Sequence, residues 1–182
     1  MAKVCTNEKT ASRQRWIENG LLELMQERKF EKITVTELCL HLNLSRRSFY
    51  RYFRDLEDVL DALLNHTLQD MVISEASLTI RDLEENYRFW LRQKPLLSAL
   101  ARSGMYGKLT EYTLKYAGEK SIQVHLSQRD LEMELGREVC LFVISGSVSL
   151  LVNWHAEGFQ KTPEQMAQIA YRMYFEPLLK KR

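Results

Sequence analysis

The stretch ITVTELCLHLNLSRRSFYRYF, residues 33–53, contains the signals for two short helices joined by a tight turn. Thr34 and Glu37 have the spacing of a capping box, in which each side chain satisfies a backbone donor at the start of a helix. Asn43 follows at a position where the turn requires a positive φ, which asparagine tolerates best after glycine. Ser45 can then cap the second helix. This pattern predicts a helix-turn-helix.

The second of these helices, predicted over residues 46–53, has one apolar side and one basic side. Phe49 and Phe53 are four residues apart, so they share the inner side and can anchor this helix to the first one. The outer faces carry arginine, serine and tyrosine side chains: Arg46, Arg47, Ser48, Tyr50, Arg51 and Tyr52. Arginine-rich short helices are often only solvated surface, but this composition beside two caps suits a DNA major groove.

The charge of the chain is concentrated at its N-terminal end. Residues 1–54 hold 11 Lys/Arg against 6 Asp/Glu, whereas residues 55–182 hold 15 against 18. A basic N-terminal third favours a polyanionic partner, and the acidic remainder does not. We therefore predict a DNA-binding domain at 1–54 and a second domain at 55–182.

The rest of the chain also predicts helices, because prolines and glycines are few and period-2 alternation is hard to find. A first helix over about residues 10–28 has an apolar face formed by Ile17, Leu21, Leu24 and Met25, with Arg13, Arg15, Glu18 and Glu23 on its other faces. Gly20 lies inside this helix at a cost of about 1 kcal/mol, which indicates close approach by a neighbouring helix. The fold class is all-α: a three-helix head followed by a helical bundle.

Two segments of this head resemble the tetracycline-repressor (TetR) family of bacterial regulators. They are Phe30-Glu31-Lys32-Ile33-Thr34-Val35 and Leu44-Ser45-Arg46-Arg47-Ser48-Phe49-Tyr50-Arg51-Tyr52-Phe53, and the resemblance covers about residues 10–60. Two positions depart from the family pattern. Asn43 stands where the family usually has glycine, and Leu56 where it usually has a phosphate-binding lysine, a role that Arg51 or Arg54 can take over.

The resemblance implies a homodimeric transcriptional regulator, most often a repressor, that reads two DNA half-sites. By position, Arg46, Arg47 and Ser48 face base edges. Phosphates are held by Thr34, Ser45, Tyr50 and Tyr52. Arg46 and Arg47 both have the chemistry for bidentate contacts to guanine, and one of the two can contact phosphate instead. The alternative that Leu56 leaves open is a helical protein-interaction module without specific DNA reading.

The second domain is predicted to bind a small effector and to form the dimer. Helices are expected over about residues 55–73, 79–93, 95–102, 105–124 and 127–157, with a last helix starting after a Thr162 cap. An apolar or aromatic effector would lie near Tyr87, Trp90, Met105, Tyr106, Tyr112, Tyr116 and Phe142, although such residues are more often plain core. The dimer is predicted through the last two helices, because the segment 139–154 is apolar on nearly all sides, although burial within one subunit stays open.

Other classes of protein are less well supported by the sequence. The 16 residues 139–154 are too short for a bilayer, and no apolar leader begins the chain. Three separated cysteines without a CxxC pair indicate neither disulfides nor zinc, so we expect a cytoplasmic protein without metal or cofactor.

Two chemical alternatives remain open. Cys140 with His125 or His155 has the chemistry of a nucleophile and base, but it lies in a stretch where a thiol is usually inert, so no catalytic residue is predicted. A redox sensor would need Cys39, expected in the core, or Cys5, expected in a tail.

Overall fold

The computed structural model describes residues 8–71, 79–116 and 133–174, and these residues form helices and connecting turns without any strand. This confirms the all-α prediction. The elements are α1 Glu8–Glu27, a 3-10 turn Phe30–Lys32, α2 Val35–His41, α3 Arg46–Tyr50, α4 Leu56–Asp70, α5 Ile80–Arg92, α6 Lys94–Arg102, α7 over residues 106–116, α8 Met133–Ala156 and α9 Pro163–Tyr174.

The described residues form two compact units. The head comprises the chain up to Thr67 together with Ser98–Met105, and the body comprises Leu68–Leu97 together with the residues from Tyr106 onward. The domain boundary predicted after residue 54 stays a prediction.

The head is built on the apolar face of α1 that the sequence predicts. Ile17, Leu21 and Met25 have no exposed surface. Phe49 and Phe53 of the helix-turn-helix are also buried, with ring centroids 6.2 Å apart. Burial of such side chains contributes roughly 1.5–3 kcal/mol each, so this core fixes the position of α3.

Gly20 lies where α1 meets the end of α2. A Cβ atom at this position would come within 2.5–2.9 Å of the Leu42 side chain, closer than carbon atoms approach in proteins. The close helix approach predicted from the sequence is confirmed, and it explains why a helix-weakening glycine occupies the middle of α1.

Glu18 corrects the predicted polar faces of α1. We expected it on a face away from the core, yet its side chain is 1% exposed. The Nδ1 atom of His66, on α4, lies 2.9 Å from one carboxylate oxygen and 3.0 Å from the other. Helix α4 covers this side of α1 and supplies a polar partner, without which burying a carboxylate would be very costly. Periodicity within α1 alone does not reveal that partner.

The helix boundaries follow the predicted caps closely. Thr79 and Asp82 form a reciprocal capping box at α5. Thr162 and Gln165 exchange the same two hydrogen bonds at α9, whose first residue is Pro163. The turn at Gly104 and the helix end at Gly158 have positive φ angles of 67° and 74°. The parts of the expected helices that cover residues 117–124 and 127–132 lie outside the described residues.

The body has its core between α5, α8 and α9. Tyr87 and Trp154 pack edge to face with ring centroids 5.4 Å apart, and both are buried. Arg88 of α5 contacts Glu84 on its own helix and Glu164 of α9. The hydrogen bond to Glu164 is the main reason why the pKa of Arg88 is raised. Ion pairing thus adds to the apolar packing of α5 on α9.

Within the described residues, no helix is both long and apolar enough to cross a membrane. The same residues contain no cluster of three or more histidine, cysteine or acidic side chains suited to a metal ion.

Candidate nucleic-acid interface

The first helix of the helix-turn-helix starts at a capping box in which three hydrogen bonds join Thr34 and Glu37. The Glu37 N–H donates to Thr34 Oγ1 at 3.2 Å, while the Thr34 N–H and hydroxyl each donate to Glu37 Oε2 at 2.8 Å. Arg28 donates to the other carboxylate oxygen. The hydrogen bonds from Thr34, with the nearby Arg28 charge, lower the pKa of Glu37. The start of α2 is therefore held firmly.

The turn between α2 and α3 has the geometry that the sequence predicts. Asn43 adopts a φ of 47°, and the Leu44 N–H donates to the Cys39 carbonyl at 2.8 Å. Cys39 is buried, and burial raises the pKa of its thiol against a smaller lowering by Arg46. A buried, protonated thiol reacts poorly, so this residue serves packing between the two helices.

The second helix, α3, is capped by Ser45. Its hydroxyl oxygen accepts from the Ser48 N–H at 3.1 Å, and the hydroxyl donates to Ser48 Oγ at 2.9 Å. The helix ends at Tyr50, three residues before the predicted end. The Phe53 N–H still donates to the Phe49 carbonyl, so Phe53 keeps its place on the inner side while the chain turns.

The outer face of α3 presents three arginines in different settings. Arg46 Nη2 lies 3.4 Å from the Tyr50 hydroxyl, and its Cζ lies 5.9 Å from the Tyr50 ring centroid. Arg51 Nη2 donates to the Tyr52 hydroxyl at 2.9 Å, with Cζ 4.9 Å from that ring. Arg47 is exposed and forms no hydrogen bond, ion pair or ring contact with any residue of the described ranges. The face is cationic and rich in hydrogen-bond donors.

Leu56, which replaces the lysine usual in the resembling family, is buried at the start of α4. Arg54 beside it donates from its backbone and its guanidinium to the buried Asp58 carboxylate, at 3.1 and 3.0 Å. Burial raises the pKa of Asp58, but the hydrogen bonds and charge of Arg54 outweigh it and the pKa is lowered. Since the Arg54 side chain remains 70% exposed, its guanidinium is still accessible to solvent.

The structure brings the predicted DNA-binding residues together but does not test their roles. All eight lie between the start of α2 and the residues just after α3, exposed or half-buried: Thr34, Ser45, Arg46, Arg47, Ser48, Tyr50, Arg51 and Tyr52. Contact with bases or phosphates stays a prediction for each of them.

The predicted effector residues fall in different environments. Tyr87 and Trp90 are buried, Phe142 is 70% exposed, and Met105 belongs to the head unit. The half-buried ones in the body are Tyr106, Tyr112 and Tyr116. Their role in binding an effector stays a prediction.

Tyr106, one of these half-buried tyrosines, contacts His155 of α8. The Tyr106 hydroxyl lies 2.7 Å from His155 Nδ1. Burial and the charge of Lys94 lower the pKa of His155, which favours a neutral ring whose Nδ1 accepts a hydrogen bond from the Tyr106 hydroxyl. His155 is therefore engaged here. Its proposed catalytic partner, the side chain of Cys140, lies outside the described residues, as do His125 and Cys5.

Two features of the head were missed by sequence reasoning. One is the pairing of arginine with tyrosine on α3, for which the i, i+4 spacing of Arg46 and Tyr50 was an available signal. The other is Arg13, whose guanidinium carbon lies 3.9 Å from the Trp16 ring centroid. The i, i+3 spacing of these two residues was a comparable signal.

Comparison with known proteins finds one matching family and several solved structures of similar fold. Residues 19–63 match the bacterial regulatory proteins of the tetR family. This range contains α2, α3, the turn between them, and most of α4.

Solved structures of regulators resemble the chain over most of its length. The dihydroxyacetone kinase operon activator DhaS has 14% identity and a TM-score of 0.67, over 90% of this chain and 94% of its own. The fatty acid degradation regulator FadR from Bacillus halodurans has 15% identity and a TM-score of 0.63, over 93% and 97%. A tetR-family transcriptional regulator from Streptomyces coelicolor has 19% identity and a TM-score of 0.61, over 89% and 78%. At such identities the likeness concerns the fold.

Proposed function

We propose that this chain is a transcriptional regulator of the tetR family, to which residues 19–63 are similar, and that it binds operator DNA through α3. The observation that carries the proposal is the construction of α3. Phe49 holds it against the head, while Arg46, Arg47 and Arg51 stand on its outer side. A short, rigidly anchored helix with basic donors outward is suited to reading a major groove.

The roles of the individual residues follow the family resemblance as far as the geometry supports it. Arg46, Arg47 and Ser48 are assigned to base edges, and Tyr50 and Tyr52 to phosphates. Thr34 and Ser45 are also assigned to phosphates. Their hydroxyl protons already serve Glu37 and Ser48, so their contribution to phosphate binding is weaker than that of the tyrosines.

Loss of the family lysine at position 56 does not weaken this proposal. Leu56 fills the head core, and the exposed guanidinium of Arg54 lies two residues away. A protein-interaction module would have no need of three arginines on the outside of α3. For that reason we favour the DNA-binding function over that alternative.

Selection from a randomised duplex library is expected to enrich a palindromic site. Binding should depend steeply on salt, because each neutralised phosphate contributes about −0.9 to the slope of log K against log[salt]. Simultaneous Arg46→Ala, Arg47→Ala and Arg51→Ala substitutions should weaken binding by roughly a hundredfold or more. Arg81→Ala removes an arginine of the body that is 84% exposed and should leave the affinity unchanged. Fluorescence anisotropy titration measures the affinities of both variants and of the unsubstituted chain.

Absence of any enriched site, with weak and salt-insensitive binding, would contradict the proposed function. It would favour the protein-interaction module instead.

We further propose that two chains pair through α8 and α9, in line with the resemblance. Phe142 and Leu141 of α8 are 70% and 38% exposed, and Met173 of α9 is 55% exposed. Large apolar side chains that are solvent-exposed in the single chain become favourable contacts when a second copy covers them. A dimer would place two α3 helices in successive major grooves, about 34–36 Å apart.

Phe142→Glu is expected to weaken the dimer by at least about tenfold, because it would bury a charge in the interface. Leu40→Glu makes the same kind of change at a leucine of the head that is 75% exposed and outside the proposed interface. Sedimentation velocity should find this control dimeric like the unsubstituted chain. If the two substitutions weaken the dimer equally, or if neither weakens it, the interface does not lie on α8 and α9.

The body is proposed to bind a small apolar or aromatic effector that changes DNA affinity. An effector that binds better to a dimer with another spacing of its α3 helices would lower DNA affinity by the difference in its binding free energies. Repression by blocking polymerase is the proposed output, in the cytoplasm. The duplex obtained by selection supplies the probe, since an effector would release it.

A further inference from the structure

The three arginines on the outer side of α3, Arg46, Arg47 and Arg51, differ in their contacts with other side chains. The guanidinium of Arg46 is held along the helix by Tyr50, and that of Arg51 by Tyr52. Arg47 makes no such contact with the described part of the chain. Arginines with the same exposure and charge are therefore in two distinct states before DNA arrives.

The two paired arginines have the chemistry of phosphate binders. In each pair the tyrosine oxygen accepts a hydrogen bond from the guanidinium and so keeps its own proton for donation. The pair then presents a hydroxyl donor together with the remaining guanidinium N–H groups. Phosphate oxygens only accept hydrogen bonds and carry negative charge, so they match this donor set. The hydrogen bond to the tyrosine also restrains the guanidinium, which limits its reach toward a base edge.

Arg47 has the chemistry of a base reader. Its planar fork is free to align with the O6 and N7 acceptors that guanine presents in the major groove. Adenine presents a donor beside N7 and would leave one guanidinium N–H unpaired, at a cost in affinity. Arg47 also gives up no contact with the described residues on binding, whereas Arg46 would have to leave Tyr50.

We propose that Arg47 reads a guanine in each operator half-site, and that the Arg46–Tyr50 and Arg51–Tyr52 pairs bind phosphates. This inference rests on the proposed function and narrows it. It removes Arg46 from the base-reading group that the family resemblance implies, and it gives the half-site a defined base.

The test uses the full chain and the duplex enriched from the randomised library. Each conserved guanine of a half-site is replaced in turn by adenine and by 7-deazaguanine, which lacks the N7 acceptor. The unsubstituted chain is expected to lose roughly tenfold to a hundredfold in affinity for the adenine duplex at one guanine, and less for the deaza duplex. Arg47→Ala should bind all three duplexes equally weakly. Arg47→Lys, which keeps the charge without the fork, should recover only part of the discrimination.

Arg46→Ala, Arg51→Ala and Tyr50→Phe provide the comparison set. Each should weaken the three duplexes by the same factor, and the two arginine variants should each reduce the salt slope by about 1 per half-site. Discrimination lost with Arg46→Ala but kept with Arg47→Ala would overturn the assignment, as would a half-site without guanine. A chain that binds no duplex at all would overturn the proposed function itself. Selective binding that Arg47→Ala leaves unchanged would overturn only the assignment of Arg47.

Discussion

His66→Leu is expected to lower the free energy of unfolding of the head by roughly 3 kcal/mol, because it removes a hydrogen-bond donor from the buried carboxylate of Glu18. The Glu18 side chain is 1% exposed, whereas His66 is 27% exposed and keeps contact with water. That partial exposure puts the expected loss at the low end of the range for breaking a buried pair. Urea denaturation followed by circular dichroism would measure the change. Hydrogen exchange of α1 would locate it in the head.

The head offers a matched control for this substitution. His41 of α2 and Glu23 of α1 form another histidine–glutamate pair, 2.7 Å apart, with 36% and 65% of their side chains exposed. Exposed pairs typically contribute about 0.2–1 kcal/mol, since water competes for both partners. His41→Leu should therefore cost less than 1 kcal/mol despite its shorter contact. The comparison separates burial from distance as the source of the effect.

A second control tests whether the loss comes from removing the His66 partner of the buried Glu18 carboxylate. Glu18→Leu combined with His66→Leu replaces the whole pair by apolar groups and should restore stability to within roughly 1 kcal/mol of the unsubstituted chain. Equal destabilisation by His41→Leu and His66→Leu would contradict this account. A double variant no more stable than His66→Leu would do the same.

Local backbone chemistry explains why so much of the head could be predicted from its sequence. Caps and turns are short-range, so Thr34 with Glu37, the positive φ of Asn43, and Ser45 are all visible in the order of residues. Two phenylalanines four apart equally define the inner side of a helix without knowledge of its neighbours.

Contacts between distant segments are what the sequence does not show. Glu18 and His66 are 48 residues apart, and only the course of α4 over α1 brings them together. A carboxylate in an amphipathic helix is normally assigned to solvent, because its partner is unknown. Leu56 is a similar case. That this residue is leucine and not lysine indicates the loss of a phosphate contact. Its burial in the head core is seen only in the structure.

For the candidate site, the sequence predicts which residues share the outer face but not how they are held. Arg46, Arg47 and Arg51 are chemically identical, and only the tyrosine contacts distinguish Arg47 from the other two. The proposed effector site is even harder to predict from the sequence, because the spacing of the aromatic residues in the body is also that of ordinary core residues.

Gly20→Ala and Gly107→Ala are expected to change stability in opposite directions. Gly20 lies in the middle of α1, and Gly107 is the second residue of α7. Alanine is favoured over glycine in helices by up to about 1 kcal/mol, through its helix propensity and the lower entropy of the unfolded chain. At Gly107 a new Cβ meets nothing within 4 Å, so this gain should appear as a stabilisation of roughly 0.5–1 kcal/mol. At Gly20 the Cβ would overlap the Leu42 side chain, including its Cγ at 2.8 Å.

The clash at Gly20 should outweigh the helix propensity gain, because overpacking of a close helix contact costs about 1–3 kcal/mol and the overlap involves Cγ and both methyl carbons of Leu42. Urea denaturation should therefore find Gly20→Ala less stable, by up to roughly 2 kcal/mol, and Leu42→Ala in the same chain should remove most of the additional loss. Since Leu42 ends α2 directly before the turn to α3, displacement there should also weaken operator binding, whereas Gly107→Ala leaves it unchanged. A stabilising Gly20→Ala would show that α1 and α2 are farther apart in solution than this geometry requires.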